Sequence, residues 1–486
     1  MTTESERDAA KQPEETKRKK PQLFDEVQRF KTFPEIFNIY GTGERYIFRD
    51  GVWYRFTVGT GWKAVSQQSL ESTIGEMAIA LSTDGGLSNA TLSRRINEIR
   101  ARVSVPENVQ GDFFIGMEAG GFRVETKPAE NWIATRSHYI NILTGETLPM
   151  DGSLFTPGCV PCDYDPAATC PRWEQYVAEA CPDDAEAIQT MFGLSLTPKK
   201  YGVFYILYGD GGSGKSTAME TLEALNTGAT CSVSLGDFGE RFQTYPLSVC
   251  RVNLVSDMES IFEGDGRVSR REGVIKRVTM GESDQFERKH QRPEHRRYTA
   301  LCVFASNSFP TFSDRSKAIP DRLRTIYFPN NFRDSGREVA NLSGWLIENE
   351  LPGILNWSIA GLRAFVCSGL ARPAESETAK AMKAEQIKNS RPEELFCDDC
   401  IVEDPGNRVD TVNLYEAYRK YCYARGRSPM GSNTVIPAIV KYLQKKYSKV
   451  DKYRGRVGGV LRMMIKGVFL NCDNNSISRG NDGIPW

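Results

Sequence analysis

The chain has 486 residues, too many for one ordinary hydrophobic core, so about two to four domains are expected. With 40% apolar and 26% charged residues it has the composition of a soluble globular protein, and no apolar run approaches the roughly 18 residues a membrane helix needs. Formal net charge is zero, and twelve cysteines at irregular spacing, behind an N-terminus with no apolar signal core, argue for reduced thiols in a cytoplasm rather than a disulfide framework.

Residues 1–22 are polar, carry Lys17-Arg18-Lys19-Lys20, and read as a disordered basic tail. A small α+β domain is expected over 23–175. Arg45 to Val65 mixes aromatics and arginines in strand-like runs broken at Asp50-Gly51 and at Gly59 to Gly61, the pattern of a hairpin or meander. Leu70, Ile74, Met77, Ala78 and Leu81 mark one face of a helix. Leu92, Ile96, Ile99 and Val103 mark a second, whose Arg94, Arg95, Arg100 and Arg102 suit either phosphate or solvent. Trp173 to Phe192 reads as helical. Cys159, Cys162, Cys170 and Cys181 supply enough thiols for a tetrahedral zinc site, but the second pair is too loosely spaced and no histidine is near, so buried thiols are expected. Cys397 and Cys400 have no partner pair at all.

Residues 176–370 are expected to be the ATPase domain. An apolar run, Val203 to Tyr208, leads into Gly209-Asp210-Gly211-Gly212-Ser213-Gly214-Lys215-Ser216-Thr217, which fits the phosphate-binding loop G-x-x-x-x-G-K-[ST]. Glycines let backbone N–H groups converge on one phosphate chain, and the helix that follows adds its positive end. Lys215 is placed to reach the β- and γ-phosphates of ATP, and Ser216 to hold Mg²⁺. Cys250 to Glu259 then forms an apolar strand ending in Asp257 and Glu259, one acid for the Mg²⁺ and one for the attacking water. Tyr298 to Ala305 is another apolar strand, tipped by Asn307, which suits the γ-phosphate or the lytic water. Between them lies a strongly basic stretch with Arg288, Lys289 and His290, the expected DNA contact at a hairpin tip. Arg322 and Arg324 precede a further apolar run, and position favours Arg322 as a finger for a neighbouring subunit's ATP.

In this order, GDGGSGKST, VNLVSDME, IKRVTMGESDQFERKH, LCVFASNSFP and DRLRTIYF resemble the superfamily 3 helicases of viruses, phages and plasmids, in particular the poxvirus and phage primase–helicase branch. The likeness covers Ile140 to Phe469. Asn141 to Glu146 and Cys162 to Trp173 resemble the segment before the helicase core, and Pro352 to Trp357 with Gly361 its helical exit. The resemblance implies an AAA+-type parallel sheet, a hexameric ring around DNA with ATP at subunit interfaces, and 3′-to-5′ translocation. No paired acidic metal ligands of a primase stand N-terminal to it, so a separate primase partner is expected.

A polar, partly helical linker is expected over 371–394. Beyond it, in 395–486, fourteen Lys or Arg face three Asp or Glu between Arg408 and Lys466. Two helices, Val412 to Ala424 and Asn433 to Tyr447, followed by a hairpin turning at Gly458-Gly459, suggest a winged-helix module for duplex DNA. The expected fold class is therefore multidomain α+β and α/β, and the expected protein a mobile-element DNA helicase of a bacterial host's cytoplasm acting on single- and double-stranded DNA. Two rivals stay open. One is an ATP-switched initiator that does not translocate, and the other is a small-molecule kinase.

Overall fold

The computed structural model describes residues 45–72, 121–258, 268–288, 293–309, 318–389, 391–457 and 460–471, with part of 93–118. The expected tail, most of the helices expected between Leu70 and Val103, Glu259, Lys289 and His290 lie outside these residues.

Strands β1 (Arg45–Arg49), β2 (Val52–Thr57) and β3 (Gly61–Val65) form an antiparallel meander. Its first turn, Asp50-Gly51, has φ of 50° and 77°, the left-handed pair that matches the twist of a tight hairpin. Strands β4 (Phe113–Glu118) and β5 (Gly121–Val124) begin a second sheet, β6 (Trp132–Ala134), β7 (His138–Asn141) and β8 (Thr147–Pro149) make a third, and β9 (Leu154–Phe155) returns to β4. Ile47, Phe56, Trp62, Phe113 and Phe155 share one core among these sheets.

Helices α1 (Pro171–Ala180) and α2 (Ala185–Ser195) follow. The stretch expected to be helical from Trp173 to Phe192 is two helices, because Pro182 opens a short 3₁₀ turn between them. Trp173, Ile188 and Phe192 pack in the same core as the central sheet, so the boundary expected at 175 falls inside α1 rather than between two cores.

The central sheet uses β10 (Phe204–Tyr208), followed by α3 (Lys215–Leu225), then β11 (Thr230–Cys231), β12 (Val252–Val255) and α4 (Val268–Met280). After a hairpin of β13 (Ser283–Phe286) and β14 (Glu294–Arg297) come β15 (Leu301–Ser306) and β16 (Leu323–Tyr327). The strand order is β11-β12-β15-β10-β16, every pairing parallel. Near-continuous apolar runs suit strands covered on both faces. Tyr205, Leu207, Val303 and Ala305 enter one core, while Phe204, Ile206, Cys302 and Phe304 enter the other, as the period of two requires.

Helices α5 (Leu342–Asn349) and α6 (Leu351–Cys367) close one face. Glycines let α6 lie directly on α2: a Cβ at Gly193 would sit 2.6 Å from the Ser358 carbonyl oxygen, and one at Gly361 would sit 2.7 Å from that of Gln189. The expected linker holds α7 (Glu377–Asn389), which lies along the edge strand β16. The outward N–H groups of that strand end on carboxylates: Thr325 donates to Glu375 at 3.2 Å and Tyr327 to Asp184 at 2.8 Å.

The C-terminal unit has its own core around Phe396, Tyr418 and Ile439. It comprises α8 (Pro392–Cys400), β17 (Ile401–Asp410), α9 (Thr411–Ala424), α10 (Ser432–Lys446), β18 (Asp451–Val457) and β19 (Val460–Leu470). Helix α8 begins inside the stretch expected to be linker. The expected two-stranded hairpin gains a third strand, because β17 pairs with β19 along the side away from β18. Asp410 caps α9 by accepting the Val412 N–H at 2.6 Å. Among the described residues no helix is long and apolar enough to cross a membrane.

Candidate active site

Strand β10 delivers the expected phosphate loop at its C-terminal end, where open parallel sheets present ligand crevices. Gly214 precedes α3 with φ of +99°, a conformation glycine adopts without strain. Two neighbours hold the loop in shape. The Tyr176 hydroxyl, on α1, donates to the Gly214 carbonyl at 2.7 Å, and the Phe332 N–H, beyond β16, donates to the Gly212 carbonyl at 2.9 Å.

Lys215 is 9% exposed, and its ammonium folds onto the loop. It donates to the carbonyls of Gly209 at 2.6 Å and Asp210 at 2.8 Å, and to the Ser213 hydroxyl at 3.2 Å. Burial lowers its pKa, and the charges of Asp210 and Asp257 work against that. This ammonium is a group a phosphate oxygen would accept from.

Asp257 follows the end of β12, and Asn307 follows the end of β15. Met258 N–H donates to the Ala305 carbonyl at 2.9 Å and Ser306 hydroxyl to the Met258 carbonyl at 3.2 Å, so the two strand tips are tied together. Lys215, Asp257 and Asn307, with Gly211 to Thr217, line one cleft of about 550 Å³. Gly209 lies just beneath it, its added Cβ blocked by the Phe328 carbonyl oxygen at 2.4 Å. Ser216 and Asp257 offer a hydroxyl and a carboxylate, the hard oxygen donors Mg²⁺ takes alongside phosphate and water.

The cleft has walls that the motif spacing does not announce. Arg172, Gln175, Tyr176 and Glu179 come from α1, and Phe332, Arg333 and Arg337 from the turn after β16. The Arg337 guanidinium lies 5.5 Å from the Phe332 ring centre. The visible signal is the run Asn331-Phe332-Arg333, four residues past an apolar strand, but nothing in it says that it folds back over the glycines.

Arg322 does not line this cleft. It stands just before β16, at the opposite end of the sheet from the loop, roughly 16 Å away by the length of a five-residue strand. Its Nη1 donates to the Ala318 carbonyl at 2.7 Å, and its Nε is buried without a partner. Arg324 is engaged within the chain, donating to the Pro373 carbonyl at 2.6 Å and pairing with Glu375 at 3.6 Å.

Arg288 is not the free cation expected of a DNA contact. It pairs with Glu294, donates to the Asp50 carbonyl at 3.1 Å and lies 4.6 Å from the Tyr245 ring centre. Arg296 pairs with the Asp50 carboxylate, which also meets Arg49 at 3.3 Å. Burial works against the charge of Arg296, and the Asp50 hydrogen bond and charge outweigh it, leaving the pKa raised. The base of the β13–β14 hairpin is thus fastened to the N-terminal meander. Arg100, from the expected basic helix, lies 5.3 Å from the Phe48 ring centre.

The four candidate zinc cysteines are buried but divided, Cys159 in the core of the small sheets and Cys162, Cys170 and Cys181 in that of the central sheet. Among the described residues no three metal-ligating side chains gather closely enough to hold an ion. Cys397 and Cys400 belong to the C-terminal core.

Comparison with family models places a "D5 N terminal like" segment on residues 36–182 and a family of unknown function, DUF5906, on 207–322. The first is a likeness to D5-type proteins confined to that segment, and the second names no function. No particular branch is singled out. Two similar solved structures are apo forms of the NrS-1 C-terminal region, at 12% and 13% identity with TM-scores of 0.47 and 0.48. Each match covers 89% of this chain and 98% of the other. Comparison with curated proteins gives no match.

Proposed function

We propose that this protein is an ATP-dependent DNA helicase of a mobile element, working with Mg²⁺ as a ring of identical subunits. One observation carries the reading: Lys215, Asp257 and Asn307, from the ends of three different strands, line one cleft. The strand bearing Asn307 separates the loop strand from the acid strand, the order expected of an AAA+-type ATPase. In this reading the loop N–H groups and Lys215 bind the β- and γ-phosphates, Ser216 and Asp257 hold the metal, and Glu259 and Asn307 orient the attacking water. Bound Mg²⁺ supplies charge neutralisation on the phosphate oxygens. Arg322 serves the neighbouring subunit's ATP, which accounts for its distance from its own cleft.

DNA contacts are assigned to Lys289 and His290 beyond the fastened base of the hairpin, and to the C-terminal unit. There the order helix, helix, hairpin, with its excess of Lys and Arg, supports a winged-helix reading for duplex DNA. The units are 45–157 with the small sheets, 158–370 with the ATPase sheet, and 392–471.

The deciding experiment measures ATP hydrolysis with and without single-stranded DNA beside strand displacement. Hydrolysis stimulated by DNA and displacement of a long strand are expected. Replacing Lys289 and His290 together by Ala should abolish both effects and spare basal hydrolysis. A second reading, an ATP-switched initiator, is favoured by one observation: the hairpin base is pinned to Asp50, which restrains the motion a translocating hairpin needs. Hydrolysis without displacement would select it.

A further inference from the structure

The stretch from Arg372 to Lys383 grips the turn that carries Arg322 from both sides. Lys383 Nζ donates to the carbonyls of Pro320 at 3.3 Å and Leu323 at 3.1 Å, and pairs with Glu375. Arg372 Nη1 donates to the Asp321 carbonyl at 3.1 Å. Glu375 accepts the Thr325 N–H and pairs with Arg324, whose Nε reaches the Pro373 carbonyl. Among the described residues the Arg322 guanidinium donates only to the Ala318 carbonyl and pairs with no carboxylate, while its backbone N–H donates to the Ile319 carbonyl and its own carbonyl accepts from the Phe204 N–H, each at 3.0 Å. Its direction is therefore set by the backbone of 318–323, and that backbone is held by this stretch.

The same stretch continues as α7 into the C-terminal unit. Lys388, near the end of α7, pairs with Asp398 of α8 at 3.4 Å. We propose that Lys383 and Glu375 are positioning residues for Arg322, so that α7 makes hydrolysis at a neighbouring subunit depend on where the C-terminal unit sits. This rests on Arg322 acting in trans. A shift of about 1 Å in a group that must meet a transition state costs roughly 100-fold in rate, so a strut that removes slack from the turn has a measurable effect. Lys383 and Glu375 are 13% and 7% exposed, and a pair so shielded from solvent holds a defined geometry.

The test uses the full chain. Lys383→Met should lower kcat for ATP by roughly 10- to 100-fold with KM nearly unchanged, and Lys383→Arg should restore most of it. Arg372→Ala, which removes one exposed hydrogen bond, should show a smaller loss of the same kind and serves if Lys383→Met does not fold. Mixing Lys383→Met with Lys215→Ala protein should recover activity, since the second supplies an intact Arg322 to the first one's loop. Arg322→Ala mixed with Lys215→Ala is the control. Recovery in the control but not with Lys383→Met would overturn the positioning role alone. Failure of the control, with subunit exchange verified, would overturn the trans finger and this inference together. An unchanged kcat in Lys383→Met would also overturn the inference.

Discussion

The cleft around the glycine loop and the β13–β14 hairpin are both rich in charge, yet they dispose of it in opposite ways. In the cleft, Asp257 and Asn307 stand exposed at strand tips, and among the described residues the Lys215 ammonium is hydrogen-bonded only to its own loop. At the hairpin base, Arg288 and Arg296 are spent on Glu294 and on Asp50, which lies 246 positions from Arg296 in sequence. Charge left unpaired at the end of a rigid element can be used on a ligand. Charge committed to a partner in another module fixes architecture.

The largest effect should come from the cleft. Lys215→Ala is expected to reduce ATP hydrolysis by at least about 10²–10³-fold while the unfolding midpoint stays close to wild type, because the lost ammonium neutralises phosphate and fills little core. Near-normal turnover in a steady-state assay would mean the loop is not the active site. At the hairpin, Asp50→Ala should lower unfolding stability by about 3 kcal/mol, since it removes the carboxylate shared by two largely buried guanidiniums and leaves Arg296 only its 3.4 Å pairing with Glu294. Denaturant unfolding would show it, with basal hydrolysis per folded molecule unchanged. A loss of basal kcat would erase the distinction between the two regions.

Smaller effects sharpen it. Tyr176→Phe removes the hydroxyl that holds Gly214 and should weaken ATP binding by about 1 kcal/mol, roughly fivefold, in a direct titration. Arg288→Ala should leave single-stranded DNA affinity and its salt dependence as they are, because that guanidinium already has partners. A shallower salt slope would return Arg288 to the DNA path.

Local chemistry was legible in the sequence. The meander turn at Asp50-Gly51, the phosphate loop and the strands ending near Asp257 and Asn307 each follow from residues within about ten positions of one another. Long-range pairing was not. No pattern around Arg288 announces Asp50, and nothing around Phe332 announces that it will bond to Gly212. The break between α1 and α2 could have been read from Pro182, whose ring cannot continue a helix. The stretch after Ala371 was polar enough to pass for linker, but its Glu375 and Lys383 are inward-facing partners of the strand that Arg322 precedes.

Strand β16 is the outer margin of a parallel sheet, where a row of unsatisfied donors would invite strand addition by a second copy. Asp184 and Glu375 remove that opportunity by accepting the Tyr327 and Thr325 N–H groups themselves. A carboxylate accepts hydrogen bonds but donates none when ionised, so it satisfies the margin without offering a template in return. In a protein proposed to work as closely packed copies of itself, the two acids act as guards against fibre growth. A neutral, shorter replacement of Asp184, which takes no part in holding the Arg322 turn, would be expected to show as turbidity at high concentration.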